Sequence, residues 1–166
     1  MQDKLKAAMT WLGAQPDTLF LGQGVGPCGG TRQSASFTEV PEERRVEFPV
    51  AEQLQLGVAI GLSLEGYCPV STFPRWNFLL SATDMLVNHL DALPIYSDYQ
   101  PRVLIRTAIG SRWPLDPGPQ HDGDFTEAFR TMLRTTMVHR LDHADDVLVA
   151  YQNAYESGAS ALLVEG

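Results

Sequence analysis

Glu52 is the lone acid in an otherwise apolar helical stretch, where Val50, Leu54, Val58, Leu62 and Leu64, with Gly57 and Gly61 between them, read as buried almost all round. A carboxyl taken out of water is harder to ionise, and a proton affinity close to the working pH is what a general acid or base requires. The same position also suits an acid for a simpler reason, because a helix carries a positive partial charge at its start. His121 lies in a long irregular stretch, 108–124, that holds three prolines, and stretches of that length carry function more often than they fill space. An imidazole there suits acid or base work near neutrality. His121, Asp122 and Asp124 together could hold a metal. No second histidine stands at ligand spacing, however, and Asp-Gly-Asp is a common turn, so no metal site is assigned to this chain. His139 and His143 flank a strand-to-helix corner and are expected to cap it or lie at the surface.

Other motifs fail on context. Gly24, Gly26 and Gly29 match a G-x-G-x-x-G dinucleotide pattern after a strand, but Thr-Arg-Gln-Ser-Ala-Ser follows where an apolar helix should aim its N-terminus at a pyrophosphate. No nucleophile elbow and no phosphate-binding Lys loop occur.

The elements that must position these residues alternate short apolar runs with longer amphipathic ones, the order of a parallel sheet with crossover helices. Helices are expected over Asp3 to Leu12, Pro49 to Gly66, Asn77 to Leu90 (with Leu80, Met85 and Leu86 inward), Phe125 to Met132 and Ala144 to Ser157. Strands are expected over Thr18 to Leu21, Val46 to Phe48, Pro69 to Phe73, Arg102 to Thr107, Thr136 to Arg140 and Ala161 to Val164. The fold class is α/β, a mostly parallel sheet with helices on both faces.

At 166 residues and 44% hydrophobic content the chain reads as one domain, residues 1–166, able to bury its own core. The net charge of -8 and the absence of a Lys/Arg cluster argue against nucleic acid, and no apolar run has the length of a membrane span. Asp3, Lys4 and Lys6 do not make a secretory signal, and Cys28 and Cys68 stand in dissimilar contexts, so the expected compartment is the reducing cytoplasm.

Several segments together resemble the pyrimidine-binding domain of transketolase-like thiamine-diphosphate enzymes, most closely the beta subunit of the decarboxylating component of 2-oxoacid dehydrogenases. Phe20 to Gly26, with Gly29-Gly30, is similar to the family's glycine segment. Arg45-Val46 and Pro49-Val50-Ala51-Glu52 resemble its Arg-Val and Pro-Ile-Ser-Glu. Gly57, Gly61, Gly66, Pro69, Phe73, Asn77-Phe78, Ala82, Asp84 and Asn88 continue in register without a gap. Arg106 and Gly110 resemble a strand end of the family, and Gln120-His121 its Gln-His. The chain departs from the family at Gln23, usually Glu, at Gly24, usually Asp, at Ala108, usually Pro, and at Asp122-Gly123, usually Ser-Gln.

The resemblance implies a thiamine-diphosphate-binding fold of the pyrimidine-domain type. It implies that Glu52 hydrogen-bonds the cofactor's aminopyrimidine, that Phe78 stacks on that ring with Trp76 beside it in the same wall, that Gln23 lies at the cofactor, and that His121 reaches the substrate side. Plain core packing is the alternative for both aromatics. The Gly-Asp-Gly segment that holds Mg2+ and diphosphate is absent, as is the family's C-terminal domain. The expected partner is therefore a separate diphosphate-binding, alpha-like subunit, two copies of each chain making the assembly, with a 2-oxo acid or ketose as substrate and an exposed apolar surface where the partner docks. Met1 and the ending at Gly166 favour a natural subunit over a fragment.

Overall fold

The computed structural model describes residues 1–26, 32–110, 116 and 118–166. Six strands, β1 (Thr18–Gly22), β2 (Arg45–Glu47), β3 (Cys68–Thr72), β4 (Leu104–Ala108), β5 (Met137–Leu141) and β6 (Ala161–Glu165), form one parallel sheet in the order β2-β1-β3-β4-β6-β5. β3 and β6 are buried along their whole length, the condition of parallel strands covered on both faces, which explains the continuous apolar run of β6 from Ala161 to Val164.

Alternate residues face two cores. Phe20, Val70, Leu104 and Leu163 point to the side covered by α1 (Gln2–Gly13) and α7 (Ala144–Glu156). Helix α1 presents Leu5, Ala8, Met9 and Leu12 and α7 presents Val147, Tyr151 and Ala154, each a stripe at helical spacing. Leu21, Ile105, Leu162 and Val164 point to the other side, under α3 (Glu52–Leu64), α4 (Trp76–Leu79), a π-helical stretch (Met85–Leu90) and α6 (Thr126–Met132). Two four-residue helices, α2 (Arg32–Ala35) and α5 (Leu93–Tyr96), fall in segments where the sequence shows no periodicity.

Two expectations need correction. The apolar residues of α3 do not all turn inward. Its buried face is Glu52, Gln55, Leu56, Ala59 and Ser63, one stripe at helical spacing, which rotates Leu54 and Leu64 out to 58% and 54% exposure, while Val50, just before the helix, is 75% exposed. Nor is 77–90 one α-helix with Leu80 inward. Leu80 is exposed, and the chain passes from α4 through a 3-10 turn (Leu80–Ala82) into the π-helical stretch.

The wide π turn ends at Asp91, whose N–H donates to the Leu86 carbonyl at 2.9 Å. Its carboxylate is fully buried and accepts the backbone N–H groups of Arg134, Thr135 and Thr136 at 2.8 to 3.0 Å, tying this segment to the entry of β5. Burial alone would raise the Asp91 pKa. The donors from Thr136, Thr135 and Arg134 outweigh it and hold the carboxyl below its ordinary value of 3.8.

The amino edge of the sheet is closed by side chains. Arg102 donates to Asp17 at 3.1 Å and lies over the Tyr155 ring, while the Tyr155 hydroxyl donates to Asp17 at 2.6 Å. Cys68 is buried there, and burial pushes its thiol up to about 12, which makes it inert as a nucleophile. Cys28 lies outside the described residues.

Because the folded-state pKa of Asp91 is depressed, its contribution is present above the unfolded carboxyl range and is lost as pH falls through the folded value. Asp91→Asn is expected to cost about 1.5–3 kcal/mol at pH 7, with a smaller deficit below about pH 3. Urea unfolding curves of both proteins at the two pH values measure this, and equal midpoints at pH 7 would refute it.

Candidate functional site

The strand order places a switch between β1 and β3. The chain leaves β1 toward β2 on one side, and it leaves β3 toward β4 on the other, so a crevice opens between their carboxyl ends. Gly22 ends β1 with φ +149 and passes so close to β3 that a Cβ would lie 2.2 Å from the Thr72 carbonyl oxygen. Only glycine fits there. The turn beyond it is held by Glu47, which ends β2 and accepts the N–H groups of Gly24 and Gly26 at 2.7 and 2.6 Å. Gln23, in that turn, is half-buried, and its side-chain nitrogen is buried without a hydrogen-bond partner. Residues 27–31, with Gly29 and Gly30 of the glycine segment, lie outside the described residues.

Helix α3 follows β2 and runs antiparallel to the strands, which puts its first residue at the same edge. Gln55 anchors the helix to β3, its amide nitrogen donating to Ser71 Oγ at 3.0 Å and to the Thr72 carbonyl at 3.1 Å, while its Oε1 is buried and unpartnered. Glu52 lies one turn before it, about 4.5 Å further toward the carboxyl edge. Glu52 is 8% exposed and makes no hydrogen bond or ion pair with the described residues. The carboxylate oxygens are not fully enclosed, so they stay open to a donor that enters the crevice.

The segment after β3 and the long stretch 108–124 meet at the same end. The Phe78 and His121 rings stack with centroids 5.1 Å apart and 23° between planes. The Phe78 N–H donates to the Arg75 carbonyl at 3.1 Å, and Arg75 Nη1 donates to the His121 carbonyl at 3.3 Å, closing a small triangle. His121 Nδ1 is buried without a partner.

Trp76 takes a different place from the one expected of it. It is fully buried, edge-on to Phe125 and tilted on Phe129 at 4.9 Å, so its ring belongs to the core and not to the crevice wall. Asp124 is committed as well: one oxygen accepts the Thr126 N–H and hydroxyl at the start of α6, and the other accepts Arg140. No group of three His, Cys, Asp or Glu side chains able to hold a metal occurs among the described residues. His139 sits within β5, half-buried, and burial together with the Arg130 charge lowers its pKa below the ordinary 6.5. His143 occupies the N-cap position of α7 without a side-chain capping bond.

Arg106 is structural. It is buried against Glu165 of the neighbouring strand, with Nε to Oε1 at 2.5 Å and Nη2 to Oε2 at 3.2 Å. It also donates to Ser36 Oγ at 2.7 Å and lies over the Phe37 ring, while the Tyr151 hydroxyl donates to the same Glu165 at 3.1 Å. Gln55 and Glu47 were not singled out from sequence. The spacing of Gln55, three residues after Glu52 on one helix face, was the available signal for the first; nothing in the sequence marked the second.

The fold is the α/β fold of transketolase-like domains. Over 99% of its length the chain superposes on half of a split-gene transketolase solved as an inactive beta4 tetramer, with a TM-score of 0.75 and 20% identity. It superposes equally on a quarter of transketolase from Campylobacter jejuni, with a TM-score of 0.77 and 15% identity.

The sequence relatives are more particular. The chain is 36% identical over 79 residues to the pyruvate dehydrogenase E1 component subunit beta of Leifsonia xyli, and 29% identical over 91 residues to the mitochondrial E1 subunit beta of Drosophila melanogaster. The matched parts cover 46% and 53% of this chain, and 23% and 25% of those relatives. No protein-family model matches. The findings are consistent with a transketolase-like pyrimidine-binding domain. No helix among the described residues is long and apolar enough to cross a membrane.

Removing one member of the buried Arg106–Glu165 pair leaves an uncompensated charge. Glu165→Ala is therefore expected to cost about 3–5 kcal/mol, and the double change Arg106→Met with Glu165→Leu less than either single change. A double-mutant cycle by urea denaturation measures this, and additive losses would contradict the coupling.

Proposed function

We propose that residues 1–166 form the pyrimidine-binding half of a thiamine-diphosphate-dependent enzyme whose diphosphate-binding half is a separate alpha-like subunit, two copies of each making the assembly. Glu52 carries the reading. A carboxylate that the fold buries at the carboxyl edge, with no partner of its own, fits the ring nitrogen of an aminopyrimidine. When bound, thiamine diphosphate supplies an electron sink for carbon-carbon bond cleavage next to a carbonyl.

The chain's own residues supply the rest. Glu52 holds a proton against the ring nitrogen, and Phe78 offers its face to the ring. The unpaired amide nitrogen of Gln23 offers a donor at the end of β1. His121 stands against Phe78, where it can give or take a proton on the substrate side. Mg2+ and the diphosphate fall to the partner, since Asp124 is already engaged by Thr126 and Arg140. The outward face of α3 supports a partner: Val50, Leu54 and Leu64 are exposed, and a side chain at Gly61 would meet nothing within 4 Å. The structural likeness to half of a split-gene transketolase supports a two-chain arrangement.

The reaction is decarboxylation of a 2-oxo acid or cleavage of a ketol, with transfer of the fragment to an acceptor, in the cytoplasm. The names of the two sequence relatives favour a second reading, a reduced 2-oxoacid dehydrogenase component that passes its fragment to an acyltransferase partner.

Purification from the native host is expected to bring down a companion carrying Gly-Asp-Gly, and the pair to bind thiamine diphosphate only with magnesium present. Glu52→Gln is expected to leave that binding within a few-fold and to lower turnover of the assembly by about 10²-fold or more. Turnover that survives the change would sink the reading.

A further inference from the structure

Side-chain cations in this acidic chain are nearly all matched. Leaving aside Arg32 and Arg112, whose side chains are outside the described ones, both lysines and every arginine but two pair with a carboxylate. The exceptions are Arg44 and Arg75. Arg44 is satisfied by backbone, its Nη1 donating to the carbonyls of Gln15, Pro16 and Thr18 at 2.8 to 3.1 Å. Among the described residues Arg75 makes a single bond, to the His121 carbonyl at 3.3 Å, and no ion pair. It is half-buried at the carboxyl end of β3, on the same short segment as Phe78 and against the same loop as His121. Its remaining N–H groups make no bond with the described residues, in a corner where His121, on whose carbonyl it rests, has a buried and unpartnered Nδ1. In a protein of net charge -8, a cation left in such a corner is one that an incoming anion neutralises.

We propose that Arg75 is a specificity-determining residue that holds an oxyanion of the substrate, a carboxylate or a phosphate, at the Phe78–His121 end of the crevice. The planar guanidinium grips such a group with two parallel N–H bonds, which a lysine cannot reproduce. The Phe78–Arg75–His121 triangle fixes where the anion sits relative to the stacked rings, so a substrate is admitted with its charged end toward the loop that carries His121. This rests on reading the crevice as the catalytic site, but the anion contact itself involves neither Glu52 nor any cofactor.

The test uses the full chain without cofactor, at constant ionic strength, titrated with pyruvate and separately with inorganic phosphate. The ring protons of His121 and the Nε–H of Arg75 are followed by NMR. Saturable shifts are expected with at least one probe. A response to pyruvate alone identifies a carboxylate, and a response to phosphate alone a phosphate ester. Arg75→Gln is expected to weaken binding by about ten-fold or more, and Arg75→Lys by less. Glu52→Gln should bind the probe as the unaltered chain does, which separates failure of this contact from failure of the catalytic reading. Shifts that never saturate, or an Arg75→Gln chain that binds undiminished, would overturn the proposal. So would loss of the folded circular-dichroism spectrum in Arg75→Lys, because Arg75 would then be a structural clamp.

Discussion

Parallel strands that enter from one edge and leave from the other give the molecule two unlike rims, and the separation of β1 from β3 at the carboxyl rim is the constraint on which the rest depends. Both sheet faces are needed for the cores, so helices must cover them. Side chains from several elements can then converge only where loops leave the strands. The close approach of Gly22 to the Thr72 carbonyl keeps the two strand ends in contact, while their connections diverge above it. Glu52, Gln23, Phe78 and His121 come from four different segments, and it is this rim that brings them to one end of the sheet.

Charge inside the protein is spent on holding that rim still. Arg106 and Glu165 extend from neighbouring central strands and collect Ser36, Phe37 and Tyr151 around them, joining the segment after α2 to the sheet and to α7. Asp91 does the same for the far edge by gathering three backbone donors before β5. These groups are fully provided with partners. Gln23 and His121 at the rim each keep a buried polar atom without a partner, as do Trp76, Thr18 and Thr107 elsewhere in the sheet and its cores.

Helix α3 shows a division along one element. Its inward face is partly polar, with Glu52, Gln55 and Ser63 buried, and its outward face exposes Leu54 and Leu64 beside Gln53. An ordinary amphipathic helix has the reverse arrangement. The inward polar groups have local partners, Gln55 on Ser71 and Thr72 of β3 and Ser63 on the Arg102 N–H, while Leu54 and Leu64 remain exposed among the described residues.

The order of elements was legible in the sequence because parallel strands are buried on both sides and appear as short apolar runs, as Ala161, Leu162, Leu163 and Val164 do. So were the amphipathic helices α1 and α7, whose stripes follow the helical period. Residue type and register also marked Glu52, Phe78 and His121 as a group. What the sequence could not supply was direction. An apolar residue reads alike whether it meets the sheet or a missing neighbour, so Val50, Leu54 and Leu80 were assigned inward, and Trp76 was assigned to a wall when it belongs to the core. An arginine likewise carries its charge in any context. Only the packed chain decides that Arg106 finds Glu165, fifty-nine residues away, while Arg75 finds nothing but a carbonyl, because partners far apart in sequence meet only after the crossovers are made.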